Sequence, residues 1–473
     1  MTPPDTATRF LRSAGAATFS QLCRVGVTFV THMVLRRYIP REDWGLYDWA
    51  EVVFLVLGAL RDLGLPAHTI RTRERPFGDL LRLELAWGAM LSGLVFVGAP
   101  LLLFALNDPH PLAVPVLQAM TLFLFLEGLA QVPLVFFEGE LDVGRAVVPE
   151  LVRNLTYAAI AVTLALNGYG VWSIVVAQIA GSAVFASMLW WRAHGRIPLT
   201  HLKGRTLALL RSSVRLASIW LLILLVRYVD RLILGARFSV EDLATYTFAY
   251  WAAFIVPMIM LQPVGRAAYP AFIAFGDEPL RKLGAYRLST TFLLALEVPA
   301  ALFLFVNAEW ALGIIGGSQW VGAPEFLRVL CFAPLIDPFS RFGGELLASH
   351  HRDRTWILAT AGTLVSFVVF GILLTSRFGP MGMAYANFLP LGSLVMIAGV
   401  ASLGRAAFGR LSADLARIYL LPVPWFAAAF LAFDASSPYR ILASFASLGI
   451  TTALDWRRFG ADFQSFFRVA GEV

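Results

Sequence analysis

The chain has 473 residues, 58% of them hydrophobic and 15% charged, with a formal net charge of +7. A soluble domain carries about a quarter charged residues, so soluble and disordered classes are excluded, and a mean hydropathy of +0.71 points to the bilayer instead. The two cysteines, Cys23 and Cys331, sit in apolar stretches and support neither a disulfide framework nor a cysteine metal site.

A helix crosses the hydrocarbon core in about 20 apolar residues. Continuous apolar blocks, without the alternation of a membrane barrel, predict an all-α polytopic membrane protein. In chain order the predicted spans are 14–35, 47–70, 83–106, 112–137, 146–166, 170–191, 214–236, 243–262, 286–306, 323–348, 356–376, 380–402, 412–433 and 438–455, which is 14 transmembrane helices. The first contains Arg24 and ends in Arg36-Arg37 without a small-residue cleavage site, so it reads as a retained helix rather than a signal peptide. The longest connection is 192–213, and no soluble catalytic domain fits anywhere. Lys and Arg gather in the termini and alternate connections, for example Arg71, Arg73, Arg75 and Arg82, or Arg192, Arg196, Lys203, Arg205 and Arg211. The other connections hold only Arg36, Arg37, Arg41, Arg237, Arg377 and Arg440. By the positive-inside rule both termini are expected in the cytoplasm. The basic balance is thus a topology signal, and no nucleic-acid partner is expected.

The chain repeats with a period near 200 residues. Arg37-Tyr38-Ile39-Pro40-Arg41-Glu42-Asp43-Trp44-Gly45-Leu46-Tyr47 is echoed, with one gap, by Arg237-Phe238-Ser239-Val240-Glu241-Asp242-Leu243-Ala244-Thr245-Tyr246. Gly168-Tyr169-Gly170 before the sixth span has a counterpart in Gly379-Pro380-Met381-Gly382 at the twelfth. Six spans separate each pair, so the copies share an orientation, and two parallel six-helix lobes around a central cavity are expected. The expected division is 1–205 and 206–410 for the lobes, and 411–473 for two additional transmembrane helices and a cytoplasmic tail. The plainer alternative is that Asp43 and Asp242 are simply helix N-caps.

These residues also carry a resemblance. Arg37, Pro40 and Asp43-Trp44-Gly45-Leu46-Tyr47 look like a first-loop motif, and Val229-Asp230-Arg231-Leu232-Ile233-Leu234-Gly235 like a seventh-helix motif. Gly316-Gly317-Ser318-Gln319-Trp320-Val321-Gly322-Ala323 and Gly144-Arg145 to Arg153-Asn154 match segments before helices ten and five. Together, over most of the chain, they resemble the polysaccharide transporter (O-antigen and lipid-linked oligosaccharide flippase) branch of the multidrug/oligosaccharidyl-lipid/polysaccharide exporter superfamily. Glu138-Gly139-Glu140-Leu141-Asp142 departs from it, being acidic where relatives carry a basic residue. The resemblance implies a bacterial inner-membrane flippase for an undecaprenyl-diphosphate-linked oligosaccharide, working in polysaccharide biosynthesis beside a polymerase and chain-length partners.

Ionisable residues within the spans are the candidate site, because each costs roughly 2.5–3.5 kcal/mol unless it meets a partner or a cavity. Arg24 and His32 lie on one polar stripe of helix one, and Arg227, Asp230 and Arg231 recur at helical spacing on helix seven. Guanidinium forks bind phosphate oxygens bidentately and stay charged, so Arg24, His32, Arg227, Arg231 and Arg266, at the end of helix eight, are candidates for holding a diphosphate. For Asp230 an Arg227–Asp230 structural pair is the favoured alternative. Glu51, Glu127 and Glu297 are isolated acids, each a candidate for a coupling proton or Na⁺, or for pairing with a basic residue on another helix. Arg61-Asp62 and Arg341 with Glu345 read as local pairs. No catalytic residue, metal site or cofactor is expected beyond a coupling ion. The alternatives are a membrane glycosyltransferase or glycan polymerase, which needs acids or His on sizeable outer loops, and export of small cationic drugs, which an arginine-rich cavity disfavours.

Overall fold

The computed structural model describes residues 26–62, 77–105, 110–140, 144–197, 206–259, 278–350, 352–434 and 437–472, with Val264, Ala268, Phe272 and Phe275 in between. All regular structure among the described residues is helical. Eight of these helices are long and apolar enough to cross a membrane, and the chain is a multi-pass membrane protein. Its outward faces agree with that environment. On one helix Leu94, Val97 and Leu101 are 65%, 79% and 70% exposed, an apolar stripe that lipid, not water, would cover.

Two compact units divide the chain, Met1–Ala244 and Thr245–Val473. In the first, α1 (26–38) leads to α2 (Arg41–Asp62), α3 (Phe77–Leu102), α4 (Ala113–Gly139), α5 (Gly144–Leu166), α6 (Trp172–Ala193) and α7 (Thr206–Arg237). Helices α4, α5 and α6 pack on one another, α3 lies on α4, and α2 packs against α7. Phe77, Phe136, Phe137, Phe185 and Leu189 build a core at one end. Tryptophan indoles tie helices together by donating to backbone carbonyls, Trp87 to Leu60 at 3.0 Å and Trp190 to Leu129 at 2.8 Å.

Helix α8 (Val240–Ala253) runs across the division. The second unit contains α9 (Pro279–Val306), α10 (Ala308–Gly316), α11 (Ala323–Leu330), α12 (Asp337–Ala348), α13 (Asp353–Phe378), α14 (Met381–Ala386), α15 (Leu391–Ala401), α16 (Arg405–Leu420), α17 (Val423–Ala432) and α18 (Pro438–Glu472). Helix α9 is its hub, packed against α12, α16 and α18.

Among the described residues, three of the interrupted predicted spans break beside a proline. Block 323–348 breaks between α11 and α12, where Pro334 sits in a 3-10 turn over Ala333–Ile336. Blocks 380–402 and 412–433 break before Leu391 and Val423, at Pro390 and Pro422. Each break has the same cause: proline lacks the N–H that the ladder requires and crowds the preceding turn. In the other direction, 214–236 and 438–455 extend into the long helices α7 and α18.

The repeated turns are alike in geometry. Both α2 and α8 begin with two acids in the first turn, Glu42-Asp43 and Glu241-Asp242. Their backbones touch: Gly45 lies so close to the Val240 carbonyl that no Cβ would fit, and Arg41 pairs with Glu241 at 3.4 Å. Ser239 caps α8: its hydroxyl accepts the Asp242 amide at 3.1 Å and donates to the Asp242 carboxylate at 2.8 Å. Asp43 instead accepts the Val171 amide at 3.0 Å, at the start of α6, with His110 Nε2 3.6 Å away. Gly170, at φ 55°, leaves room for that carboxylate where a side chain would collide with it. Burial holds the Asp43 carboxyl above its usual range, against the lowering effects of the Val171 amide and His110.

Candidate functional site

Charged and aromatic groups of α1, α2 and α7 meet in the first unit. Arg231 of α7 reaches Glu51 of α2 at 3.3 Å, and its guanidinium lies 4.9 Å from the Tyr228 ring centroid. Arg36 of α1 lies 3.9 Å from Asp48 and 3.8 Å over the Trp44 ring. Trp44 donates its indole N–H to the Leu35 carbonyl and faces His32 at 5.6 Å between rings. Electrostatically Arg36, Asp48, Glu51 and Arg231 form one group, with the hydroxyl of Tyr157 close by. Glu51 keeps 37% of its side chain exposed, against 13% for Arg231. The pair is therefore reachable from outside while its arginine is anchored.

Within this cluster Arg36 and Arg231 each face a carboxylate, Asp48 and Glu51, so the cluster is balanced rather than purely cationic. Arg227 is exposed; Asp230 is buried and accepts the backbone amide of Arg231 at 2.8 Å. The acid partner of helix seven is thus Glu51, from another helix. Arg24 and Arg266 lie outside the described residues. Arg36 and Asp48 were missed as site residues because Arg36 reads as a topology anchor. The available signal was Trp44, Asp48 and Glu51 at i, i+4 and i+7, which share a helix face.

The other intramembrane acids separate into two kinds. Glu127 of α4 receives Arg153 of α5 at 3.0 Å and the Ser182 hydroxyl of α6 at 2.7 Å, which makes it a three-helix clamp. Arg61 of α2 meets Glu84 of α3 at 3.2 Å and donates to the Leu124 carbonyl at 2.9 Å; the side chain of Asp62 lies outside the described residues. Arg341 pairs with Glu345 one turn on, at 3.2 Å, as their spacing predicts. Glu297 of α9 is 2% exposed, and among the described residues neither carboxylate oxygen has a hydrogen-bond partner.

The architecture is that of the transporter fold shared by lipid flippases and multidrug exporters. A structure described as lipid II flippase MurJ in an inward closed conformation superposes with a TM-score of 0.74 at 12% identity, covering 95% of this chain and 99% of that one. An inward-facing multidrug resistance MATE transporter of the MOP superfamily gives 0.66 at 14% identity, covering 84% and 98%. At the level of sequence, residues 34–325 match the family described as Polysaccharide biosynthesis protein, and the chain belongs to that family. It is 25% identical to the succinoglycan biosynthesis transport protein ExoT of Rhizobium meliloti over 72% of this chain and 70% of that protein. It is 22% identical to the probable low-salt glycan biosynthesis flippase Agl15 of Haloferax volcanii, over 57% of each.

Proposed function

We propose that the protein flips an undecaprenyl-diphosphate-linked oligosaccharide from the cytoplasmic to the periplasmic leaflet of the bacterial inner membrane, for export as polysaccharide. What carries the reading is the family match on a flippase and exporter fold, with relatives named for glycan transport. Within it, Arg231 is the phosphate ligand. A diphosphate offers the guanidinium a bidentate partner stronger than the single 3.3 Å contact with Glu51, and the exposed Arg227 supplies a second positive charge. The substrate's phosphate takes the place of Glu51, the lipid tail stays in the bilayer, and alternating access carries the head group across. Both termini face the cytoplasm in this scheme, and a polysaccharide polymerase with its chain-length partner receives the product.

The test is export of the glycan by cells in which this protein is the sole exporter. Arg231→Ala should abolish export and leave lipid-linked oligosaccharide in the inner leaflet, while Arg231→Lys restores part of it, because a point charge loses the bidentate geometry. Full export by a folded Arg231→Ala protein would remove the residue from the site. Glycosyl transfer by the purified wild type would overturn the transporter reading altogether.

A further inference from the structure

Glu297 is set apart from the other intramembrane acids by what surrounds it. Glu51, Glu84 and Glu127 each meet an arginine; among the described residues Glu297 meets none. It lines a cavity of about 10 Å³ together with Ala253, Pro257, Cys331, Pro334 and Leu335. That is about the room one water molecule takes. The charged group whose field acts on Glu297 is another acid, Asp337 at the start of α12. Of the other titratable neighbours, the Cys331 thiol lines the cavity and the Tyr419 hydroxyl of α16 stands within its electrostatic reach. Ala253 at the end of α8, with Val256 and Pro257 just beyond it, also lines the cavity, and none of the three titrates. Among the described residues a charged carboxylate here would have no cation, no donor and a second negative charge beside it, a combination that burial disfavours.

The cavity is nevertheless polar enough for water. Pro257 and Pro334 have no N–H to give the carbonyls of Ala253 and Cys331, four and three residues back, and both of those residues line it. Hard metal cations take about six oxygen ligands or more, which this small, largely alkyl pocket does not assemble.

We propose that Glu297 is an intramembrane proton-binding site of the second unit, exchanging one proton with a water in the adjoining cavity. The step is simple: the carboxylic acid gives its proton to the water as hydronium and is left as the carboxylate, and the reverse reaction restores it. On the transport reading above, this site would bind the proton that drives the cycle. The site itself rests only on the geometry of the second unit, so it is tested apart from transport.

The experiment is infrared spectroscopy of the full chain in lipid nanodiscs at neutral pH, with and without Na⁺, comparing the wild type with Glu297→Gln. A protonated-carboxyl band should be present in the wild type, shift in deuterated water as its proton exchanges, and vanish in E297Q. Because glutamine mimics the neutral acid, E297Q should insert at least as well as the wild type. If it fails to insert, E297L, without charge or carboxyl, gives the same spectral difference. For the wild type alone, ¹³C-glutamate labelling reads any protonated glutamate directly. Absence of a protonated glutamate in the labelled wild type, or a band unchanged in E297Q, overturns the proposal. A band that disappears on adding Na⁺ at constant pH also overturns it, by assigning the site to that ion. Failure of glycan export with the band intact would instead count against the transport reading alone.

Discussion

Changing Glu84 to Gln removes one charge from a pair that the first unit buries almost completely, with Arg61 and Glu84 side chains 6% and 0% exposed. Gly88 and Gly128 make room for it. Ideal Cβ atoms at these glycines would stand 3.7 and 3.4 Å from the Arg61 Cδ, so its stem threads between α3 and α4 where only small residues leave space. Breaking a buried pair costs about 3–5 kcal/mol, because the surviving charge loses its compensation. Here Arg61 keeps its 2.9 Å bond to the Leu124 carbonyl, which places the expected loss near the lower bound, about 3 kcal/mol or roughly two powers of ten in the folding equilibrium. The double change Arg61→Met with Glu84→Leu removes both charges at similar volume and should recover to within about 1 kcal/mol of the wild type or exceed it. Tryptophan fluorescence during SDS unfolding of the purified protein in mixed micelles measures both. A single mutant as stable as the wild type, or a double mutant no better than the single, would refute the reasoning.

Two further outcomes follow from the outer turns. Gly45→Ala puts a methyl where the Val240 carbonyl stands; as both groups are backbone-fixed, about 1–3 kcal/mol should be lost, visible as reduced folded protein after solubilisation, and unchanged yield would contradict the close approach. Asp43 binds its proton more tightly when folded than when unfolded, so its contribution to stability falls as pH rises from 3.8 through the higher folded value. Asp43→Asn, which keeps an acceptor for Val171, should lose that part of the pH dependence of thermal unfolding, and an identical slope in the mutant would exclude Asp43 as its source.

The class of fold was legible because its signal is local: apolar blocks about as long as the bilayer is thick. The two turns that the sequence pairs, before α2 and before α8, touch at Gly45 and Val240, a contact that no local pattern announces. Partners of the charged residues on other helices were not legible. A sequence offers each charge its near neighbours on the same helix, which suggests Glu345 for Arg341 but names no partner on another helix. The fold instead joins Arg231 to Glu51, Arg61 to Glu84 and Arg153 to Glu127, residues 180, 23 and 26 positions apart. Such choices depend on which helix faces pack, information spread over the whole chain. The broken spans were readable in principle, since Pro334, Pro390 and Pro422 stand in plain view inside apolar blocks whose hydropathy conceals them.

The break at Pro334 bears on how the protein is made. A continuous apolar helix can leave the insertion machinery for lipid unaided, because every backbone group in its interior is already bonded. Helices α11 and α12, joined by a 3-10 turn, cannot: a loose carbonyl in hydrocarbon costs several kcal/mol. Helix α9, against which both pack, is synthesised earlier and can shelter that turn. The tenth span therefore enters the membrane as a guest of the ninth, and a chain shortened before Ala323 should integrate more readily than α11 and α12 would on their own.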